Sequence, residues 1–157
     1  MRNERERQSN DVNSYVLDTY ALQAFLAAEA GADAVRDLLV RAVAGKSKVY
    51  ISWISVAEVY YVTYRKSAVA EERELLANNT IEGIKRLSVQ IVPAGESEAL
   101  KAGNLKAKYP LSLADAFVAA LGQMYNAWVV TGDPEFRPLE EAGEIGVFWL
   151  PQKPKIR

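Results

Sequence analysis

The sequence predicts an α/β protein with a mainly parallel central sheet. Short apolar segments alternate with helical segments along most of the 157 residues, which is the pattern of strand–helix–strand units. Two of the apolar segments, "VQIV" (89–92) and "WVV" (128–130), contain little or no alternation, as expected for strands that are covered on both faces. In sheets of this kind, ligands bind outside the carboxyl ends of the strands.

The elements of the first half follow from local signals. A strand at 15–17 ends at Asp18, and a helix at 19–29 places apolar residues on one face before Gly31 breaks it. A second helix at 32–44 ends before Gly45. The remaining predicted elements of this half are a strand at 48–52 and helices at 53–66 and 70–86.

The second half is delimited by prolines and by one capping residue. A strand at 89–93 ends at Pro93, and an amphipathic helix at 95–109 ends before Pro110. Ser112 is placed to cap a helix over 113–125. Strands at 127–133 and 146–151 complete the fold. We expect residues 14–151 to form one domain, with a mobile N-terminal arm at 1–13 and a C-terminal tail at 152–157.

Composition restricts the chemistry. The chain has no His and no Cys, which excludes disulfides, thiolate nucleophiles and His-based acid–base catalysis. The formal net charge is −1, so a polyanionic partner would have to be bound by a local patch. No apolar run reaches the ~20 residues of a membrane helix, and the N-terminus does not resemble a signal peptide. These features favour a cytoplasmic protein.

Four carboxylates are isolated from other charges. Asp18, Glu58 and Asp115 are each the only charged residue of a long segment, and Asp133 follows the apolar strand "AWVVTG". Burying an unpaired carboxylate is costly. Asp18 and Asp133 follow strands and therefore lie at the carboxyl edge, and Asp115 lies one turn inside its helix. Glu58 shares a helical face with Ile54, Ala57 and Tyr61, which we interpret as the core-facing side.

A divalent cation would explain the four acids together. Carboxylates cannot all remain ionised in one small cleft without a cation, and ligands that are all oxygen suit Mg²⁺ or Mn²⁺. Such an ion activates water and stabilises charge on a phosphoryl oxygen. Each acid also has a simpler explanation. Asp18 and Asp115 could serve the N-termini of helices, Asp133 could be a turn residue, and Glu58 could pair with a distant cation.

Three segments carry a resemblance to a known family. "YVLDTYALQAFL", "ISWISVAEVYY" and "LSLADAFVAALGQMYNAWVVTGDPEF" together resemble the PIN-domain ribonucleases, most of all the VapC-type toxins of toxin–antitoxin pairs. The resemblance covers roughly 15–150. It implies a three-layer α/β/α fold and a Mg²⁺- or Mn²⁺-dependent endoribonuclease. The implied catalytic and metal-binding residues are Asp18, Glu58, Asp115 and Asp133, with Thr19 and Thr131 in support.

The resemblance also implies partners. These are an RNA substrate, an antitoxin protein and a second copy of the chain in a homodimer, and the nearly all-apolar helix 53–64 could serve a protein interface. The cations that could contact RNA are Arg65, Lys66, Lys101, Lys106 and Lys108. Two alternatives stay open: a non-catalytic PIN-like module that binds RNA or protein, and a phospho-acceptor receiver domain. The receiver is disfavoured because no acidic pair precedes a strand-end Asp.

Overall fold

The computed structural model describes residues 12–152. Five strands form one sheet in the order β3-β2-β1-β4-β5, and every neighbouring pair is parallel. The strands are β1 (Asn13–Leu17), β2 (Ser47–Ser52), β3 (Gln90–Val92), β4 (Trp128–Thr131) and β5 (Val147–Trp149). The predicted α/β class is therefore confirmed, and the sheet is parallel throughout.

Seven α-helices accompany these strands within residues 12–152. They are α1 (Thr19–Leu26), α2 (Ala32–Val43), α3 (Trp53–Lys66), α4 (Arg73–Lys85), α5 (Glu96–Lys108), α6 (Leu113–Met124) and α7 (Arg137–Glu141). Two 3₁₀ turns lie at Ala70–Glu72 and Pro134–Phe136.

Two of the predicted helices were too long, and one helix was missed. The helix predicted over 19–29 ends at Leu26, because Ala28 adopts a positive φ of 52°. The helix predicted over 70–86 begins as a 3₁₀ turn and becomes α-helical only at Arg73. Helix α7 spans five residues, which is too short to display helical periodicity in the sequence.

The sheet is covered on both faces. Alternate residues of a strand point to opposite faces, so that Val16 and Val129 pack with α5 and α6 on one side. Leu17 and Val130 pack on the other side with residues of α1 to α4. Both faces are therefore apolar, which explains the strands without alternation. The predicted three-layer α/β/α architecture is confirmed.

The strand order sets the position of a cleft. The chain proceeds from β1 to β2 and β3 on one side of β1, and then crosses to β4 on the other side. The connection that follows β1 leads to β2 on one side, and the connection that follows β4 leads to β5 on the other side. The gap between β1 and β4 is therefore a topological switch point, where open parallel sheets bind ligands. Asp18 follows β1 and Asp133 follows β4, so both acids border this switch point.

The two predicted ends lie largely outside the described residues. Most of the predicted arm (1–11) and most of the predicted tail (153–157) fall there. Within the described part, β1 begins at Asn13, two residues earlier than predicted. No helix in residues 12–152 combines the length and the apolar character needed to cross a membrane.

Candidate active site

Asp18 has a separate hydrogen-bonding role for each of its carboxylate oxygens. The side chain is 1% exposed. Its Oδ1 accepts a hydrogen bond from the backbone N–H of Ala21 at 2.8 Å, so Asp18 caps α1. Its Oδ2 accepts a short hydrogen bond from the hydroxyl of Thr131, at the end of β4. The capping explanation is therefore correct for the Oδ1 atom of Asp18. The Oδ2 atom instead connects β1 to β4, the two strands at the switch point.

Thr131 connects Asp18 to the loop that carries Asp133. Besides donating to Asp18, its fully buried hydroxyl oxygen accepts a hydrogen bond from the backbone N–H of Asp133 at 2.9 Å. The next residue, Gly132, packs against the ring of Tyr20, and a Cβ atom there would lie only 2.4 Å from a ring carbon. The Tyr20 hydroxyl donates to the carbonyl of Pro151 at 2.8 Å. Glycine at this position therefore lets the loop pass close to the site.

Helix α6 brings Asp115 to the same edge of the sheet. Ser112 caps this helix as predicted, because its hydroxyl oxygen accepts the backbone N–H of Asp115 at 3.1 Å. Asp133 caps the following 3₁₀ turn by accepting the backbone N–H of Glu135 at 2.9 Å, so the turn interpretation is also correct. Asp115, Asp133 and Glu135 each offer one carboxylate oxygen, and these atoms lie within 4.8 Å of one another.

Glu135 is the acidic residue that the sequence analysis missed. It lies between Asp133 and Arg137, so a search for isolated charges passes over it. The signal that could have found it is its position in the turn. Because Pro134–Phe136 forms a 3₁₀ turn that Asp133 caps, the side chain two residues after Asp133 can fold back toward the same cleft.

Electrostatics confirm that these acids are crowded. The pKa of Asp18 is raised to about 7, chiefly by burial and also by the charges of Asp115 and Asp133, while the hydrogen bonds from Thr131 and Ala21 oppose the shift. Burial likewise raises the pKa of Asp115 to about 7, opposed by the Ser112 hydrogen bond and assisted by Asp133 and Glu135. Two carboxyl groups therefore resist ionisation in the absence of a cation.

Glu58 lies beside this cluster but is not one of the three carboxylates that approach within 4.8 Å. Its Oε1 accepts a hydrogen bond from the hydroxyl of Thr19 at 2.7 Å, and its Oε2 lies 3.5 Å from the hydroxyl of Tyr61. Thr19 directly follows Asp18, and so it connects Glu58 to the switch point. Among the described residues, Glu58 forms no ion pair with Lys or Arg.

The predicted orientation of Glu58 was wrong. The face that it shares with Ala57 and Tyr61 is largely exposed, and Tyr61 itself is 45% exposed. The core-facing residues of α3 are Ser55, Val56 and Val59. The error arose because tyrosine and alanine count as apolar in a periodicity analysis, although both occur on surfaces. Glu58 is therefore half-buried rather than core-facing, and its link to the site is the hydrogen bond from Thr19.

One of the predicted RNA-binding cations has a different role. The Nζ atom of Lys106 donates to the backbone carbonyl of Leu111 at 2.6 Å. This contact fixes the turn between α5 and α6, just before the Ser112 cap. Lys106 thus helps to set where α6 begins, and with it the position of Asp115.

The donor set fits a hard divalent cation. The converging side chains are carboxylates, and the chain contains no His or Cys that would favour softer metals. A cation bound between Asp115, Asp133 and Glu135 would relieve the repulsion that raises the pKa of Asp115. Mg²⁺ is commonly bound by one or two carboxylates with water completing its shell, so three converging acids suffice.

An all-parallel α/β/α domain with acidic side chains at its switch point places the chain among α/β proteins with an acidic ligand-binding edge. The sequence model of the PIN domain matches residues 15–141, and the chain belongs to the PIN-domain family. Proteins of this family are generally nucleases. Membership in the PIN-domain family excludes the receiver-domain alternative. Among curated proteins, none matches the chain.

Solved structures support the fold at low sequence identity. VapBC2 from Rickettsia felis, bound to a DNA fragment from its promoter, has a TM-score of 0.65 at 18% identity, covering 88% of this chain and 99% of that one. VapBC-5 from Mycobacterium tuberculosis, of the VapBC family of toxin–antitoxin systems, has a TM-score of 0.60 at 18% identity, covering 87% and 98%. FitAcB from Neisseria gonorrhoeae has a TM-score of 0.61 at 20% identity, covering 85% and 96%.

Proposed function

We propose that the protein is a Mg²⁺- or Mn²⁺-dependent endoribonuclease that hydrolyses RNA phosphodiester bonds. The observation that carries the proposal is the meeting of three carboxylates within 4.8 Å at the sheet's switch point, next to the buried Asp18. Neither of the ion pairs found in residues 12–152 involves any of these acids. Such an arrangement destabilises the fold unless a cation binds to it.

The side chains would divide the work of hydrolysis. When bound, a divalent cation activates water and stabilises negative charge on the phosphoryl oxygens. Asp18, Asp115 and Asp133, assisted by Glu135, would hold the cation. Glu58, which the Thr19 hydrogen bond connects to the residue after Asp18, would orient the attacking water and accept its proton. The supporting residues are Thr131, which fixes the Oδ2 atom of Asp18, and Thr19, which fixes the Oε1 atom of Glu58.

We also propose that the protein is the toxin of a VapBC-type pair and acts with an antitoxin protein. The likeness to VapBC and FitAcB proteins supports this. So does an apolar groove between α1, α3 and α4, lined in part by Leu26, Val59 and Val62. Near it, Leu75 and Leu76 of α4 are 62% and 43% exposed, which is typical of an interaction surface. The proposal includes a homodimer and a cytoplasmic location.

The direct test is cleavage of a structured RNA mixture with Mg²⁺, with Mn²⁺, and with a chelator. We expect cleavage that requires the cation and that falls at least about a hundredfold in Asp115→Asn, since a ligand for the charge-stabilising ion is lost. Asp37→Asn is the matched control, because Asp37 lies on the exposed side of α2. Full activity of Asp115→Asn contradicts the proposal. Binding of Mn²⁺ without cleavage of any RNA favours the non-catalytic module instead.

A further inference from the structure

We infer that Tyr61 and Arg65 form a substrate-binding pair that holds single-stranded RNA beside Glu58. The inference rests on the proposed function and adds to it two residues that would contact the substrate. Both lie on α3, three and seven residues after Glu58, and therefore on the same side of the helix as that acid. The guanidinium carbon of Arg65 lies 5.1 Å from the centroid of the Tyr61 ring.

The contacts of the pair connect it to the acidic site. The Tyr61 hydroxyl lies 3.5 Å from the Oε2 atom of Glu58, whose Oε1 accepts a hydrogen bond from Thr19. Tyr61 is 45% exposed, and Arg65 is also exposed. Within residues 12–152, Arg65 forms neither an ion pair nor a hydrogen bond to a carboxylate. A cation with free donors is therefore held on an aromatic ring whose hydroxyl contacts Glu58.

This combination matches the chemistry of single-stranded RNA. Aromatic rings stack on bases, and guanidinium groups bind phosphates through paired donors. An acidic cleft repels the phosphate backbone, so a cation near the rim is needed to hold the strand while the scissile phosphate enters. The planar guanidinium can also stack, which extends the flat surface that Tyr61 offers.

The pair is separate from the apolar groove proposed for the antitoxin. Neither Tyr61 nor Arg65 lines that groove, whose α3 residues are Val59, Val62, Thr63 and Lys66. Val62 borders the face of Glu58, whereas the others project from a different side of the helix. The position at the end of α3 explains why a cation is favourable there. The four-residue spacing brings the guanidinium over the ring of Tyr61, next to Glu58. We assign this exposed combination of ring and cation to contact with RNA, and contact with a second protein is the outcome to exclude.

The test uses a fluorescein-labelled random 12-mer RNA, with binding measured by anisotropy in Mn²⁺. The Asp115→Asn protein serves as the parent so that the probe is not cut. We expect Tyr61→Ala and Arg65→Ala each to raise the Kd about tenfold, and Arg65→Ala to lower the salt dependence of log K by about one. Tyr61→Phe keeps the ring and should bind like the parent, whereas Arg65→Lys should fall between. Arg41→Ala, an exposed arginine near the opposite edge, is the matched control.

The same single substitutions in the otherwise unchanged protein should raise KM for the 12-mer about tenfold while kcat changes less than about threefold. Kd values for Tyr61→Ala and Arg65→Ala equal to that of Arg41→Ala would overturn the inference, as would a parent that binds no RNA. A changed oligomeric state in light scattering with an unchanged Kd would also overturn it, because the pair would then serve a protein contact. Failure of the proposed function would give a different result, because the unchanged protein would then cut no RNA. The comparison of Kd values would still decide whether Tyr61 and Arg65 bind RNA.

Discussion

Helix α6 meets carboxylates at both of its ends, in opposite ways. Near its first turn, Asp115 faces Asp133 and Glu135, and three acids share one cleft. Near its last turn, Glu144 accepts hydrogen bonds from the Gln123 amide at 2.7 Å and the Tyr109 hydroxyl at 3.0 Å. A carboxylate with its own donors stabilises the fold, whereas crowded carboxylates need a cation from outside. The comparison separates an acid that stabilises the fold from acids that we propose to bind a cation.

The volume of a cleft does not distinguish acids that stabilise the fold from acids that need a cation. A cleft of ≈870 Å³ lies at the amino edge of the sheet and is lined by residues that include Gln123, Asn126 and Glu144. The Glu144 side chain in that cleft is already hydrogen-bonded. The chemistry instead points to the carboxyl edge, where Asp18 and Asp115 have raised pKa values.

The largest difference that we expect between the two ends of α6 is in the affinity for Mn²⁺. Glu135→Gln removes one of the three converging carboxylates, and we expect the apparent Mn²⁺ affinity to fall about tenfold to a hundredfold, as for other changes around metal sites. Glu144→Gln makes the same chemical change at the other end of α6 and should leave the affinity unaltered. Isothermal titration calorimetry measures both. Equal Mn²⁺ affinities of Glu135→Gln and Glu144→Gln would show that Glu135 does not bind the cation.

A smaller effect is expected when the bridge between the strands is removed. Thr131→Val keeps the shape of the side chain but deletes the donor to Asp18 and the acceptor for the Asp133 backbone. Leaving these buried groups unpaired should cost about 1–3 kcal/mol of unfolding free energy. Urea denaturation measures the loss. RNA cleavage should fall as well, and Thr131→Ser, which keeps the hydroxyl, should restore most of it.

The smallest effect on activity is expected at the structural end. Glu144→Leu leaves the Tyr109 hydroxyl without its acceptor, whereas the Gln123 amide keeps the backbone carbonyl of residue 144, so we expect only a small loss of unfolding free energy. Cleavage measured below the melting temperature should stay within about threefold of the unchanged protein. A large loss of cleavage in a folded Glu144→Leu protein would show that the two ends of α6 are not independent.

Much of this architecture was predictable from the sequence because the signals were local. Continuous apolar strands indicated a sheet covered on both sides, and the isolation of Asp18 and Asp115 marked acids that lack a nearby cation. Ser112 was recognisable as a cap for the same reason. Glu135 was not recognisable, because its part in the cluster depends on how a 3₁₀ turn folds back. The exposure of the Glu58 face was also missed, since apolar periodicity does not distinguish a surface tyrosine from a buried one.

The central claim is that Asp115 is present to hold a cation. Thermal melts of the unchanged protein and Asp115→Asn at pH 5 and pH 8, with chelator or with Mn²⁺, test it most directly. The pKa of Asp115 is raised from 3.8 to about 7 in the folded state. The folded state therefore binds the proton more tightly than the unfolded state, and stability is lost as the pH rises through about 7.

With chelator at pH 8, we therefore predict a higher Tm for Asp115→Asn than for the unchanged protein, by roughly 3 °C for each kcal/mol of relieved repulsion. At pH 5, where the carboxyl group is protonated in the folded state but still ionised in the unfolded state, the difference between the two Tm values should be clearly smaller than at pH 8. Mn²⁺ at pH 8 should raise the Tm of the unchanged protein more than that of the variant. A lower Tm for Asp115→Asn at pH 8, together with no response to Mn²⁺ in either protein, would contradict the account.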